Sequence, residues 1–281
     1  MMTKTRTFGS SSRVGHDSTS FYARRMYDIA QAPPGSINQT DVRNRIICKS
    51  SEEMTELVDN CVSLVVTSPP YNVGKDYDDD LTMGDYLGLL ERVFKECYRV
   101  LQPGGRACIN VANVGRKPYI PLSHLVGDIM RGIGLLMRGE VIWRKAAGAS
   151  GSCAWGSFCA ATNPTLRDVH EYILIFSKDR FDRPARGEST ISKDAFMRDT
   201  LSIWEFPPES ASKVGHPAPF PVELPSRLIH LYSFLGDLVL DPFAGSGTTC
   251  LAAKFTGRDY VGYELNENYA RLAYNRLNTL L

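Results

Sequence analysis

Two short stretches carry residue types whose spacing suits chemistry. Residues 237–249 read DLVLDPFAGSGTT: an apolar strand ends in Asp241, and Pro242, Phe243, Ala244, Gly245 and Gly247 follow before a helix opens at Thr248 and Thr249. Glycines there let backbone approach a ligand and tolerate positive φ, and a helix start offers free N–H groups. A second strand at 260–263 ends in Glu264, roughly twenty residues on, where a carboxylate can accept from both ribose hydroxyls. The P-loop lysine is absent directly after Gly247, which disfavours ATP, and the incomplete G-x-G-x-x-G weakens NAD. A ribose-bearing ligand without phosphate suits two acidic side chains. S-adenosylmethionine is such a ligand, and its cationic amine and sulfonium favour a place near Asp241. Taken alone, the two glycines could also make a plain tight turn.

The second stretch is Thr67-Ser68-Pro69-Pro70-Tyr71, directly after the apolar run VSLVVT. Two prolines fix the backbone and carry no N–H, so carbonyls without internal partners are expected there. Ser68 adds a side-chain acceptor and Tyr71 a flat π face. That set suits a planar heterocycle with an exocyclic amino group. The amine would donate to the Ser68 hydroxyl and the Pro69 carbonyl while Tyr71 stacks on the ring. Such bonding localises the nitrogen lone pair and makes it a nucleophile toward a methyl sulfonium. A Pro-Pro turn with a solvent-facing tyrosine is the bland alternative; the glycine turn in the same chain weighs against it.

The elements around these stretches alternate. Strands are expected at 45–48, 62–67, 107–111, 141–144, 172–176, 237–241 and 260–263. Helices are expected at 51–59, 83–101 (ended by Pro103-Gly104-Gly105), 122–132, 224–234, 248–256 and 266–277. Alternation points to an α/β fold, a mostly parallel sheet flanked by helices, whose ligands lie beyond the carboxyl ends of strands. Residues 181–213 mix charge, Pro, Gly and Ser without period and read as an inserted lobe. Residues 1–44 read as a partly mobile N-terminal extension, and 45–281 as the main domain.

Composition bounds the rest. The 281 residues are 43% hydrophobic and 22% charged, which fits a globular domain with an inserted lobe. No apolar stretch approaches the ~20 residues of a membrane helix, and 1–15 lacks the apolar core of a secretory leader. The seven cysteines form no C-x-x-C pair, so no zinc ribbon or redox motif is expected; several read as small buried residues. The net charge of +1 excludes binding to nucleic acid through bulk charge alone, but not a basic cleft. Seven bases at 100–150, including Arg106, Arg138, Arg144 and Lys145, face only Asp128 and Glu140.

TSPPYNVGKDY, HEYILIFSK, HPAPFPVELPSRLI and DPFAGSGTT together resemble the amino-directed DNA methyltransferases, in the motif order of their β-group. The resemblance covers about 45–281, nearly the whole chain. It implies the S-adenosylmethionine-dependent methyltransferase fold in permuted order, with S-adenosyl-L-methionine as cofactor and double-stranded DNA as substrate through base flipping. It implies that Ser68, Pro69, Pro70 and Tyr71 form the catalytic motif. Thr67, Asp241, Pro242, Phe243, Ala244, Gly245, Gly247, Thr248 and Thr249 would cradle the cofactor, with Glu264 and Leu265 at its ribose. His216, Pro217 and Pro219 would pack against its methionine end. Where the family often carries Gly-Asp to hold the adenine, this chain has Lys49 and Ser50; Ser50, Ser51 or the backbone could serve instead. A cognate restriction endonuclease, a homodimer and a cytoplasmic, nucleoid-associated location are further expectations of the resemblance.

C5-cytosine chemistry is excluded because no cysteine follows a proline. Within the amino group, Ser68 in place of Asp favours N4-cytosine over N6-adenine. A non-catalytic nucleic-acid-binding protein on the same fold is the rival reading, against which both intact motifs argue. Arg183, Arg186, Lys193 and Arg198 in the inserted lobe are candidates for target recognition, and Asn72 and Lys75 for contacts beside the catalytic loop. Arg116-Lys117 and Arg24-Arg25 are weaker candidates. Trp155, in the loop before HEYILIF, could wedge beside a flipped base or cap the core. His170 reads as structural, and the acidic run at 76–80 as a solvated turn.

Overall fold

An unbroken apolar run such as VSLVVT fits a strand covered on both faces. In the computed structural model, which describes residues 4–5, 13–14, 35–71, 81–115, 117–145, 155–209 and 220–279, that run is buried at every position. The chain divides into two units, Met1–Ala32 and Pro33–Leu281. In the first, β1 (Lys4–Thr5) pairs antiparallel with β2 (Arg13–Val14). In the second, β3 (Arg45–Cys48), β4 (Val62–Thr67), β5 (Leu101–Val111), β6 (Leu136–Lys145), β7 (His170–Ser177), β8 (Ile203–Phe206), β9 (Leu238–Asp241) and β10 (Asp259–Glu264) form one sheet. Its eight strands run in the order β3-β10-β9-β4-β5-β7-β6-β8. All pair in parallel except β7, which is antiparallel to both neighbours.

Alternation along the strands feeds two cores. Val65, Ile109, Leu174, Leu240 and Val261 meet α1 (Met83–Val100) and α2 (Leu122–Ile133) on one face. Val66, Cys108, Ile173 and Val239 meet α4 (Glu223–Tyr232) and α5 (Thr248–Phe255) on the other, and α6 (Glu267–Thr279) adds Leu277 there. In sheet order, β5 follows β4 on one side and β10 follows β9 on the other. The chain therefore leaves the adjacent strands β4 and β9 in opposite directions. A crevice at their carboxyl ends is the place where α/β sheets bind ligands.

Four expectations change. Residues 51–59 are turns, not a helix. Side chains of α1 take over their backbone groups: Glu96 accepts from the Met54 amide at 2.7 Å, and Arg99 donates to the carbonyls of Met54 and Leu57 at 2.9 Å each. The segment is thus bonded by its neighbour instead of by its own ladder. The strand expected from 107 starts at Leu101 and takes in Pro103-Gly104-Gly105. Gly104 has φ +76, and a Cβ there would stand 2.1 Å from the Asp182 carbonyl oxygen, so only glycine fits.

The third change concerns 181–213. Its described part is not set apart from the sheet: it holds α3 (Lys193–Asp199) and then β8, which pairs with β6 as the edge strand. Both elements are too short for a period to show. Trp204 and Phe206 are nevertheless buried, and the Trp143 indole donates to the Phe206 carbonyl at 3.0 Å. Finally, the main unit begins at Pro33 rather than at residue 45. The chain before β3 is tied down by Asn38, whose amide donates to the Asn60 carbonyl, and by the Arg43–Asp259 ion pair at 2.6 Å.

Candidate active site at the carboxyl ends of β4 and β9

Thr67 closes β4 and Asp241 closes β9. The Thr67 hydroxyl donates to Asp241 Oδ1 at 2.6 Å, and the Phe243 amide donates to the same oxygen at 3.1 Å. Asp241 Oδ2 is buried and accepts no hydrogen bond. With Asp241 only 1% exposed, burial pushes its carboxyl up to about 6. A buried acceptor left without a donor is costly. A cationic amine in the crevice would satisfy it, so the residues present fit the expected cofactor.

The turn after β9 is shaped by glycine. Gly247, at φ +77, caps α5, and a Cβ there would come within 2.9 Å of the Ala273 side chain on α6. The Gly245 amide donates to Glu264 Oε2 at 2.8 Å, and the Asn266 amide to Oε1 at 2.8 Å. Glu264, closing β10, is therefore held by two backbone donors while burial raises its carboxyl. Each oxygen keeps lone-pair capacity for a ribose hydroxyl. Pro242 and Ala244 are buried, Phe243 packs on the first core, and Leu265 is exposed beyond Glu264. Thr248 is buried at the start of α5, and Thr249 donates to the Val66 carbonyl at 3.2 Å, fastening α5 to β4. Arg276, to which no sequence pattern pointed, donates from α6 to the Ser246 carbonyl at 2.6 Å and braces the turn from behind.

Across the crevice, Ser68 Oγ and the Tyr71 hydroxyl lie 3.1 Å apart. Burial and the Glu171 carboxylate push the Tyr71 phenol well up, so it keeps its proton, while the Ala112 amide bonds its oxygen. The proton can then point to Ser68, which keeps a lone pair for a ligand. Pro69 is buried. The expectation of free carbonyls is corrected at Pro70, whose oxygen accepts from the Tyr86 hydroxyl of α1 at 2.6 Å. Tyr71 is half-buried and packs against the first core.

Sequence reasoning missed a polar row beside this loop. Asn110 near the end of β5 donates to Glu171 at 2.6 Å, and Lys145 pairs with the other Glu171 oxygen at 2.7 Å. The Asn110 acceptor oxygen is buried without a partner. Polar residues at strand ends within apolar runs, as in ACINV and HEYIL, were the available signal. The Ser50 hydroxyl donates to Glu52 at 3.1 Å, and Glu52 pairs with Arg92. Asn72, Lys75, Arg116, His216, Pro217, Pro219 and the run at 76–80 lie outside the described residues.

The crevice thus joins a hydroxyl-bearing proline loop to a nucleoside-type turn. A family model described as DNA methylase, covering N6 and N4 enzymes, matches residues 62–275. The chain belongs to this DNA methylase family. The methylase is 32% identical over 275 residues to the type II methyltransferase M.MthZI of Methanothermobacter thermautotrophicus, covering 85% of this chain and 77% of that protein. Its fold matches that of a DNA modification methylase from Thermus thermophilus, TTHA0409, in complex with S-adenosyl-L-methionine, at TM-score 0.69 and 32% identity over 84% of this chain and 95% of that one. It shares its fold with the PvuII cytosine-N4-specific DNA methyltransferase, at TM-score 0.67 and 19% identity over 85% and 87%.

Of the basic residues expected to contact DNA, one is withdrawn. Arg183 is largely buried in an ion pair with Asp237, with a second bond at 3.1 Å, and its guanidinium lies 4.7 Å from the Phe234 ring. Arg106, counted among the basic excess, is also buried, and burial together with Arg138 and Arg183 lowers its guanidinium to about 10. Arg186, Lys193 and Arg198 are exposed, with Arg198 paired to Asp199 at 2.7 Å. Arg183→Ala in the methylase should therefore cost stability, about 3 kcal/mol for a buried pair that loses one partner. It should leave the salt dependence of DNA binding unchanged. Denaturant melts and binding isotherms at several salt concentrations check both parts. Among the described residues, no helix is long and apolar enough to cross a membrane.

Proposed function

We propose that the chain methylates the exocyclic N4 amine of cytosine in double-stranded DNA, using S-adenosylmethionine and a target base flipped from the duplex. The observation that carries this reading is Ser68, a neutral acceptor that directly follows Thr67, whose hydroxyl bonds Asp241 at the end of the neighbouring strand β9. When bound, S-adenosylmethionine supplies a methyl carbon that the amine takes as the carbon–sulfur bond breaks, the electron pair staying on sulfur. Asp241, whose Oδ2 lacks a partner, would hold the cofactor amine, and Glu264 would hold the ribose. Ser68 Oγ and the Pro69 carbonyl accept the two amine hydrogens and draw the nitrogen lone pair out of the ring system. Once methylated, the nitrogen gives up one proton to water. No covalent enzyme intermediate is needed. Burial pushes the thiols of Cys97, Cys108 and Cys250 up, Cys108 to about 12, which suits packing and not nucleophilic attack.

Residues 181–213 contact the recognised sequence in this reading, through Arg186, Lys193 and Arg198. A cognate restriction endonuclease and a homodimer remain part of it as well. Nucleoside mass spectrometry of plasmid DNA from cells expressing the chain should find N4-methyl-deoxycytidine. Finding N6-methyladenine alone would transfer the assignment to adenine. Absence of methyl transfer to DNA from tritiated cofactor would refute the reading outright.

A further inference from the structure

The loop between β6 and β7 puts apolar side chains where no core receives them. Phe158 is 68% exposed, Trp155 42% and Leu166 86%. Its described part, residues 155–169, nevertheless holds its own shape. The Ser157 amide donates to the Asn163 carbonyl at 2.9 Å, the Asn163 amide to Ser157 Oγ at 2.8 Å, and the Thr165 amide to the Trp155 carbonyl at 2.9 Å. Gly156, at φ +68, lets the two arms close, because a Cβ there would stand 2.1 Å from the Asn163 carbonyl oxygen. Phe158 meets Trp155 edge-on, with centroids 5.1 Å apart, and the Arg167 guanidinium lies 4.5 Å from the Trp155 ring. This is a braced aromatic pair with a cation against the Trp155 ring. Such a combination suits a partner that offers flat π faces and negative charge together.

Position narrows the partner to the substrate. Val111 pairs with Tyr172, so β7 starts at the edge where β5 ends, and Thr67 pairs with Ile109 at that same edge. Thr67 is level with Leu174 two strands away, so His170 lies about 10 Å across from Ser68 and about 10 Å further out along the strand, roughly 14 Å in all. The Lys145 amide bonds the Val169 carbonyl at 2.9 Å and fixes the root of the loop. A base swung toward Ser68 would leave a gap in its stack on this side of the molecule, and an apolar side chain inserted between base steps fills such a gap.

We propose that Phe158 enters the duplex beside the target base and occupies the space it vacates, with Trp155, clamped by Arg167, as its platform. This rests on the methyl-transfer reading above. A wedge matters only while the target pair must be opened, so its loss is repaired by a substrate whose target is already unpaired. Once single-molecule sequencing has mapped the site, two duplexes carrying it are compared, one fully paired and one with the target mispaired. Phe158→Ala should lower kcat/KM at least tenfold on the paired duplex and stay within about threefold of the unaltered chain on the mispaired one. Phe158→Tyr should restore the paired rate, and cofactor affinity and melting temperature should not move. Equal losses on both duplexes, no loss on either, or a changed sedimentation coefficient would each overturn the wedge. Absence of transfer by the unaltered chain to both duplexes would refute the methyl-transfer reading, and the wedge with it; transfer with equal losses refutes the wedge alone.

Discussion

Ser68→Ala should lower kcat by about 10²–10³-fold, the scale of losing one preorganised hydrogen-bonding group at a reacting centre. The dissociation constant for S-adenosylmethionine should stay within about twofold. The asymmetry follows from what each group touches. Ser68 Oγ bonds the Tyr71 hydroxyl, whereas the polar partners of the turn after β9 come from Thr67, Glu264 and Arg276. Removing the hydroxyl leaves the Tyr71 oxygen bonded to the Ala112 amide, so the loop keeps an anchor. Single-turnover methyl transfer and cofactor calorimetry on the same preparation separate the two effects. Unchanged turnover would take Ser68 out of the reaction.

Asp241→Asn should weaken S-adenosylmethionine binding by about 10²–10³-fold, since the mutant can no longer answer a buried cation with charge. The pH dependence carries the same information. The Asp241 carboxyl sits near 6 in the folded chain against 3.8 for the ordinary group. A group raised in this way stabilises the fold below its unfolded value and loses that contribution as pH rises through its folded value. The shift amounts to about 3 kcal/mol against the cofactor-free protein at neutral pH. Asp241→Asn without cofactor should therefore melt higher than the unaltered chain at pH 7, with the difference vanishing toward pH 4. On the proposed reading the cofactor needs the charged form, so the dissociation constant of the unaltered chain should be flat above pH 7. Below about 6 it should rise roughly tenfold per unit, while Asp241→Asn shows no such slope. Calorimetry and melting curves from pH 5 to 8 test both halves.

Long apolar runs and glycine turns were legible because they are local. VSLVVT, LVLD and DPFAGSG announce their strands and turn through residue type alone, and Ser68, Asp241 and Glu264 stand where that alternation puts them. Residues 51–59 failed for the opposite reason. Their backbone partners are Glu96 and Arg99, some forty positions away, and no local period records that bonding. Arg183 reads as a surface cation in a charged stretch until Asp237 is found beside it. Asn110, Glu171 and Lys145 come from three strands and meet only in the folded sheet. Pro70 shows the same limit within a motif: proline tells that an N–H is missing, but not that Tyr86 will claim the carbonyl.

The edge strand β8 bears on how this molecule could acquire a new target sequence. Ile203–Phe206 completes the sheet beside β6, and Trp204 and Phe206 are covered in part by Arg227 of α4. Exchanging 181–213 as a cassette between relatives would strip β6 of its outer neighbour and uncover two aromatic side chains. Graft boundaries that keep 199–206 from the recipient, and import only the exposed face around Arg186, Lys193 and Arg198, spare that seam. On the proposed reading of 181–213 as the target-contacting stretch, specificity would drift by surface substitution more readily than by wholesale exchange.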